Sequence, residues 1–475
     1  MGRRTVWWRV VAASAALLCA AAALSGTARA AGTSDPDPSA PYAFDEDART
    51  VEGATSTTGS VRLVAGTTYR SSLGADGKLY YRLELDGAAD AYVSATAVPR
   101  PGTAVASSAG LKVSLQDADG HVCSSDTARF GPTRSPRPVT AWVVREADRD
   151  AYMCRAAGAY YVVVERAVTG GSSQEGTEGG GEPWELELRH AWEPPLKDAG
   201  ATTAPPENWS SATPEAVTGD GGPRTGGTGF ATASPVGQGV WSQTGGIRPG
   251  RTLYYKVPVD WGQQVYATAE LGSADGGGDG FTGSAMVVSL YNPVRGLVDD
   301  VTSPYDGRQR SVALDPLPPV RYGNRHAVDD ETSAMRFAGW YYLAVHLGEP
   351  VAERFGDGPF GLTLRVRVEG SPEEGPGYLG ASEPRDVFTV TAEDREAAEN
   401  GEGAGTAGED GGGAGGTGGD EDSGGTGSAA ASGGGRGPGG HATAMKVLAA
   451  GGIGTGSVLV LGLGLWTLVA RRRAA

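Results

Sequence analysis

The sequence predicts an all-β chain: two tandem jelly-roll-like β-sandwich domains, with an N-terminal signal peptide and one C-terminal transmembrane helix. Three observations lead there. Five sequence blocks recur in the same order at a nearly constant offset. Each block alternates apolar and polar residues with period two, the mark of a strand with one face in a core and one in water. Each end of the chain carries an apolar stretch, and the two differ in length and flanking charge.

Residues 1–30 read as a secretory signal. Arg3, Arg4 and Arg9 supply the basic start, Val10 to Leu24 the apolar stretch, and Ala28-Arg29-Ala30 the small-x-small cleavage pattern. Fifteen apolar residues are too few to span a bilayer, which needs about 20. Residues 31–56 are expected to be a flexible N-terminal segment. At the other end, residues 445–470 are expected to cross a membrane. Val447 to Ala470 holds no charge, and Arg471-Arg472-Arg473 follows as a stop-transfer anchor, leaving 471–475 as a cytoplasmic tail. Gly452-x-x-x-Gly456 has the small-residue spacing that lets two spans approach, a candidate homodimer contact.

Gly and Pro fill 106 of 475 positions, 22% against an average of about 12%, so part of the chain is not packed globule. The excess is concentrated. Residues 401–440 hold 20 Gly among Asp, Glu, Ser and Thr, and cannot bury enough surface to offset chain entropy. The segment 386–444 is therefore expected to be a disordered acidic stalk, and 194–228 a Pro/Gly-rich linker. Between these lie module 1 (57–193) and module 2 (229–385). Without its basic ends the chain carries a net charge of −23 over residues 31–470, which argues against nucleic acid and anionic lipid as partners.

The blocks themselves are specific. Tyr80-Tyr81-Arg82-Leu83 matches Tyr254-Tyr255-Lys256-Val257, and Tyr92-Val93-Ser94-Ala95-Thr96 matches Tyr266-Ala267-Thr268-Ala269, both at an offset of 174. Val113-Ser114-Leu115 matches Val288-Ser289-Leu290 at 175, and Ala157 to Val164 matches Ala338 to Val345 at 181. Leu186-Glu187-Leu188-Arg189 matches Leu362-Thr363-Leu364-Arg365 at 176. Burying one such Leu or Val contributes about 1.5–3 kcal/mol, and a one-residue slip would expose the whole set. No soluble helix of period 3.6 is evident between 57 and 370. Asp119-Gly120 marks a hairpin turn, and Asn292 to Gly296 is its counterpart.

The order of these strands, with an Asp-x-Asp-Gly turn after Leu115 and an Ala-Gly-Ala-Tyr-Tyr-Val-Val-Val block at 157–164, resembles the bacterial pre-peptidase C-terminal domain. The similarity covers about 60–190 and 240–368. It implies a jelly-roll-like sandwich appended to exported proteins, an accessory module without catalytic residues of its own. Five Lys against 35 Arg resembles a high-GC actinobacterial coding bias.

Few residues carry chemistry. Cys123 and Cys154 remain after signal removal and are expected to form a disulfide, worth roughly 3–4 kcal/mol for a loop of about 30 residues. The five His stand far apart, with no metal-ligand spacing and no nucleophile elbow, so no catalytic residue, cofactor or metal is assigned. Asp117 and Asp119 are candidate calcium ligands, but the third acid and terminal Glu of a calcium loop are missing, and a plain hairpin is preferred. Trp241, Trp261, Trp340, Tyr341 and Tyr342 are candidate glycan-stacking rings if exposed, and core residues otherwise. The expected function is a non-catalytic, membrane-anchored binding or scaffolding protein outside the cell, its partner an extracellular protein or envelope component. The alternatives are a glycan-binding surface module and an enzyme whose site is assembled from distant residues.

Overall fold

The computed structural model describes residues 42–75, 77–147, 153–167, 182–197, 208–276 and 279–400. The signal peptide, most of the stalk, the apolar C-terminal stretch with Gly452 and Gly456, and the tail lie outside the described residues. Among the described residues no helix is long and apolar enough to cross a membrane.

Module 1 is built from β1 (Arg49–Thr50), β2 (Val61–Arg62), β3 (Thr68–Leu73), β4 (Lys78–Leu85), β5 (Asp90–Val98), β6 (Gly110–Gln116), β7 (Val122–Arg129), β8 (Val139–Arg145), β9 (Gly158–Ala167) and β10 (Trp184–Glu193). They form two sheets, ordered β1-β3-β10-β5-β8 and β2-β4-β9-β6-β7. Module 2 repeats the plan with β11 (Gly222–Arg224), β12 (Ser234–Pro235), β13 (Gly239–Gln243), β14 (Arg251–Val259), β15 (Gln264–Leu271), β16 (Thr282–Tyr291), β17 (Leu297–Tyr305), β18 (Arg310–Ala313), β19 (Gly339–Leu347) and β20 (Leu362–Glu369). Its sheets run β11-β13-β20-β15-β18 and β12-β14-β19-β16-β17. Strand for strand the two orders are the same. Early strands alternate between the sheets, so each module closes as a jelly-roll-like sandwich over one apolar core.

Register shows that the duplication is structural. Tyr81 faces Val162 across β4 and β9, and Tyr255 faces Leu343 across β14 and β19. Leu115 faces Val162 as Leu290 faces Leu343, and Ala95 faces Leu188 as Ala269 faces Leu364. All five sequence blocks thus keep their partners. So does a polar detail inside the cores. The Tyr81 hydroxyl donates to Ser71 Oγ at 2.8 Å, and the Tyr255 hydroxyl to Gln243 Oε1 at 2.5 Å. Each hydroxyl lies under a glycine, Gly53 or Gly226, where an added Cβ would stand 2.8 Å away. Burial pushes the Tyr81 phenol up to about 12, so it serves only as a neutral hydrogen-bonding group.

The structure departs from the sequence reading at four places. First, helices exist between 57 and 370: α1 (Asp330–Ala334) and α2 (Pro350–Phe355), each too short to show a 3.6-residue period. Second, the segment read as a flexible lead-in carries β1, and its Tyr42 packs edge-on to Phe44 and Tyr254. Third, part of the linker lies along module 2. Arg365 Nη1 donates to the Val217 carbonyl at 2.9 Å and Arg367 Nη2 to that of Glu215 at 2.7 Å, and β11 joins a sheet. Fourth, residues 386–400, placed in the stalk, bury Phe388 and Val390 and form α3 (Ala392–Asn400), whose Ala398 carbonyl accepts from Gly237 N. Except in the linker, which hydrogen bonds hold, a few apolar or aromatic side chains find a core to enter.

Candidate functional site

The two sandwiches meet along the outer face of the β3-β10-β5-β8 sheet, the face that strand alternation assigns to water. Glu187 and Glu193 on β10 are each about 1% exposed, and Tyr92, Ser94 and Thr96 on β5 are buried beside them. What covers them comes from module 2, the C-terminal segment and the N-terminal residues Tyr42 and Asp45. Phe337 and Phe388 stack at 4.9 Å, and both rings meet Tyr92.

Burying carboxylates is costly unless each finds a cation and hydrogen bonds. Both do. Arg325, on a 3-10 turn (Tyr322–His326), sends Nη1 to Asp90 Oδ2 at 2.8 Å and Nη2 to Glu193 Oε1 at 2.9 Å. The hydroxyls of Tyr92 and Tyr378 donate to the same Glu193 carboxylate, at 2.6 and 2.7 Å. Burial raises the Asp90 carboxyl to about 6, and the Glu193 charge adds to that rise. Arg325 and the Ala147 N–H pull it back.

The second pair forms at a hairpin. Asn292 to Gly296 joins β16 to β17 and inserts into the seam, where Arg295 Nη1 meets Glu187 Oε2 at 2.7 Å. The Tyr42 hydroxyl donates to the same oxygen. Arg295 holds a positive φ of 66°, a conformation that costs a side chain roughly 1–2 kcal/mol and that the ion pair offsets. Next to it, Gly296 leaves room for the Trp142 ring, which an added Cβ would approach to 2.6 Å. Arg336 pairs with Glu146 farther along the seam. His346 Nε2 meets Ser135 Oγ at 2.9 Å, and burial lowers its pKa to about 3, so it crosses the seam as a neutral ring.

A groove of about 400 Å³ opens at one end of this seam, within the size range of small-ligand sites. Module 1 gives it two Pro-Arg-Pro segments, Pro99-Arg100-Pro101 and Pro136-Arg137-Pro138, and module 2 gives it Arg251 and Thr252.

The residues proposed from sequence lie elsewhere. Cys123 and Cys154 are bonded, with Cα atoms 5.7 Å apart. Asp117, Asp119 and His121 bring three ligand atoms within 4.8 Å of one another. Asp117, however, is occupied: Oδ1 accepts the N–H groups of Asp119 and His121 at 3.0 and 2.9 Å, and Oδ2 meets His121 Nδ1. Asn292 Oδ1 does the same in module 2, accepting from Val294 and Gly296. A neutral amide braces the hairpin equally well, so the acid is there for the turn. The five aromatic rings do not form a platform. Trp261 and Tyr341 are in the core. Trp241 lies against that core under the Arg224 guanidinium and bonds the Gly237 carbonyl. Trp340 lies under Lys256 and bonds Asp394, and Tyr342 packs on Phe230. Tyr341 and Tyr342 do point to opposite faces, but the outward one is covered by the chain itself.

Comparison with known proteins adds little. No family model matches the chain, so the pre-peptidase resemblance gains no support there, and no curated protein matches it. Among solved structures, the CUB1-EGF-CUB2 domains of human MASP-1/3 align over 63% of this chain and 99% of that one, at 9% identity and a TM-score of 0.16. The tandem CBM22 modules of Xyn10C from Paenibacillus barcinonensis align over 62% and 82%, at 9% identity and 0.18. The tandem CBM51 modules of a family 98 glycoside hydrolase from Streptococcus pneumoniae align over 64% and 83%, at 9% identity and 0.16. Scores this low carry no argument about ligands.

Proposed function

We propose that this chain is a non-catalytic binding unit held outside a bacterial cell by its apolar C-terminal stretch, and that it takes a component of the cell envelope at the seam between its sandwiches. The observation that carries this reading is the seam itself. Two modules joined by a loose linker would swing independently; here buried ion pairs, a hairpin plug and a returning C-terminal segment hold them in one arrangement. A fixed arrangement is what a groove built from both modules needs. The two described histidines that are buried, His190 and His346, are both held neutral by burial and engaged with Leu63 O, Ser135 and Thr252. Export and anchoring rest on the two ends of the sequence.

The test is photocrosslinking on intact cells. A benzophenone side chain at Ser72, an exposed residue on the groove, is expected to capture one envelope component from the outside. Arg325→Leu, which frees the seam, should abolish the adduct. If no groove position gives an adduct, or the chain is unreachable from outside the cell, the reading fails.

A further inference from the structure

The groove is basic in a chain whose net charge is −16. Arg100, Arg137 and Arg251 line it, against one carboxylate, Glu185, which is held by Arg70; Arg100 is in turn paired with Glu182 at 2.7 Å, which leaves Arg137 and Arg251 as the main cations of the lining. Arg137 stands out. It also borders a second cavity behind the groove. Its Nε is buried and meets no acceptor among the described residues, its Nη2 reaches the Arg129 carbonyl at 3.4 Å, and the guanidinium also hydrogen-bonds the Tyr291 side chain in that second cavity. A guanidinium is always charged and is suited to forked recognition of carboxylate or phosphate. Held between low-dielectric walls, it focuses a positive field in an otherwise acidic surrounding.

The rest of the lining limits the ligand further. Pro99, Pro101, Pro136, Pro138 and Pro183 contribute C–H surface and no N–H donors. An extended peptide binds by adding main-chain hydrogen bonds to a sheet edge, and a proline wall offers no such ladder. Flat C–H faces beside scattered hydroxyls (Ser72, Thr228) and cations are better matched to sugar rings that carry an anion.

We infer that the seam groove is a binding site for an acidic oligosaccharide, its rings carrying carboxylate or phosphate, with Arg137 as the principal anion contact. This rests on the binding reading above and names its ligand class. The sign of the site also qualifies what the net charge excludes: an acidic protein can take an anion at a local basic groove.

The experiment is calorimetric titration of the full-length protein with trigalacturonate, with maltotriose phosphate, with neutral maltotriose and with triglutamate. Binding of either acidic sugar is expected and tells which anion is preferred; it should weaken with added salt. Arg137→Gln should weaken it about tenfold, as loss of a charge-assisted hydrogen bond does. Arg308→Gln, at an exposed turn away from the groove lining, should leave it unchanged. Should Arg137→Gln lower the melting temperature, Arg251→Gln provides the second reading of the same loss. Absence of heat with both acidic sugars, equal binding of maltotriose or triglutamate, or no loss in either arginine variant would overturn the proposal. None of those results would touch the photocrosslinking outcome.

Discussion

The connection from β8 to β9 and its counterpart from β18 to β19 join equivalent strands, yet they are held in unrelated ways. The first is twelve residues long and is tied by Cys154 to Cys123 on β7. The second is 25 residues long and buries Leu314, Leu317, Val320, Ala334 and Met335 in the module 2 core. The bulge residue on the neighbouring strand shows the exchange directly. Cys123 interrupts the β6–β7 register where Val298 interrupts that of β16–β17, and Val298 is buried in the module 2 core. A short connection has too little apolar surface to order itself, and a cross-link supplies what burial cannot. The longer connection is held by packing and has residues to spare, and those residues (Arg325, Arg336 and Phe337) build the seam.

Breaking that seam should have the largest effect. Arg325→Leu leaves Asp90 and Glu193 buried without their cation, an expected loss of about 3–5 kcal/mol by chemical denaturation. The unfolding curve should then split as the modules separate; a single unshifted transition would show the ion pairs to be incidental. Next come the two fastenings. Cys123→Ser with Cys154→Ser is expected to cost about 3 kcal/mol, with hydrogen-exchange protection lost in β7 and β9 and kept in β17 and β19. Met335→Ala should cost about 2–5 kcal/mol with the reverse pattern. Equal loss in both modules from either change would remove the contrast.

The paired hairpins give a smaller difference. Asn292→Ala strands the N–H groups of Val294 and Gly296 inside the seam and should cost about 1–3 kcal/mol. Asp117→Ala exposes the equivalent groups to water and should cost less than about 1 kcal/mol. A pH dependence is expected as well. The Asp90 carboxyl is raised to about 6, above its unfolded value of about 3.9, so the folded protein holds more protons between these limits. The Asp90 contribution therefore favours folding increasingly as pH falls through 6 toward 4. Denaturation midpoints across that window should show the slope in the native chain and lose it in Asp90→Asn.

Much of the fold was legible because a sandwich core writes itself as period two, and writing it twice gave the offsets that the registers of Tyr81 and Tyr255 bear out. The two- and three-residue edge strands β1, β2, β11 and β12 were not, since so few residues show no period. The seam was illegible for a different reason. Glu187 and Glu193 alternate with Leu186 and Leu188, and alternation places charged residues in water. They are buried only because Arg295 and Arg325, 108 and 132 residues away in sequence, fold against them. Nor could the groove be read. The prolines around Arg137 carry no strand or helix period, and only the approach of Arg251 from the other module makes them a wall.

The hairpin from Asp117 to His121 is the twin of the plug that closes the seam, yet its tip stands in solvent. The molecule thus keeps one spare fastener. A dye or short epitope grafted between Asp119 and Gly120 would ride on a rigid stem, reporting on the surroundings of the protein without loosening it.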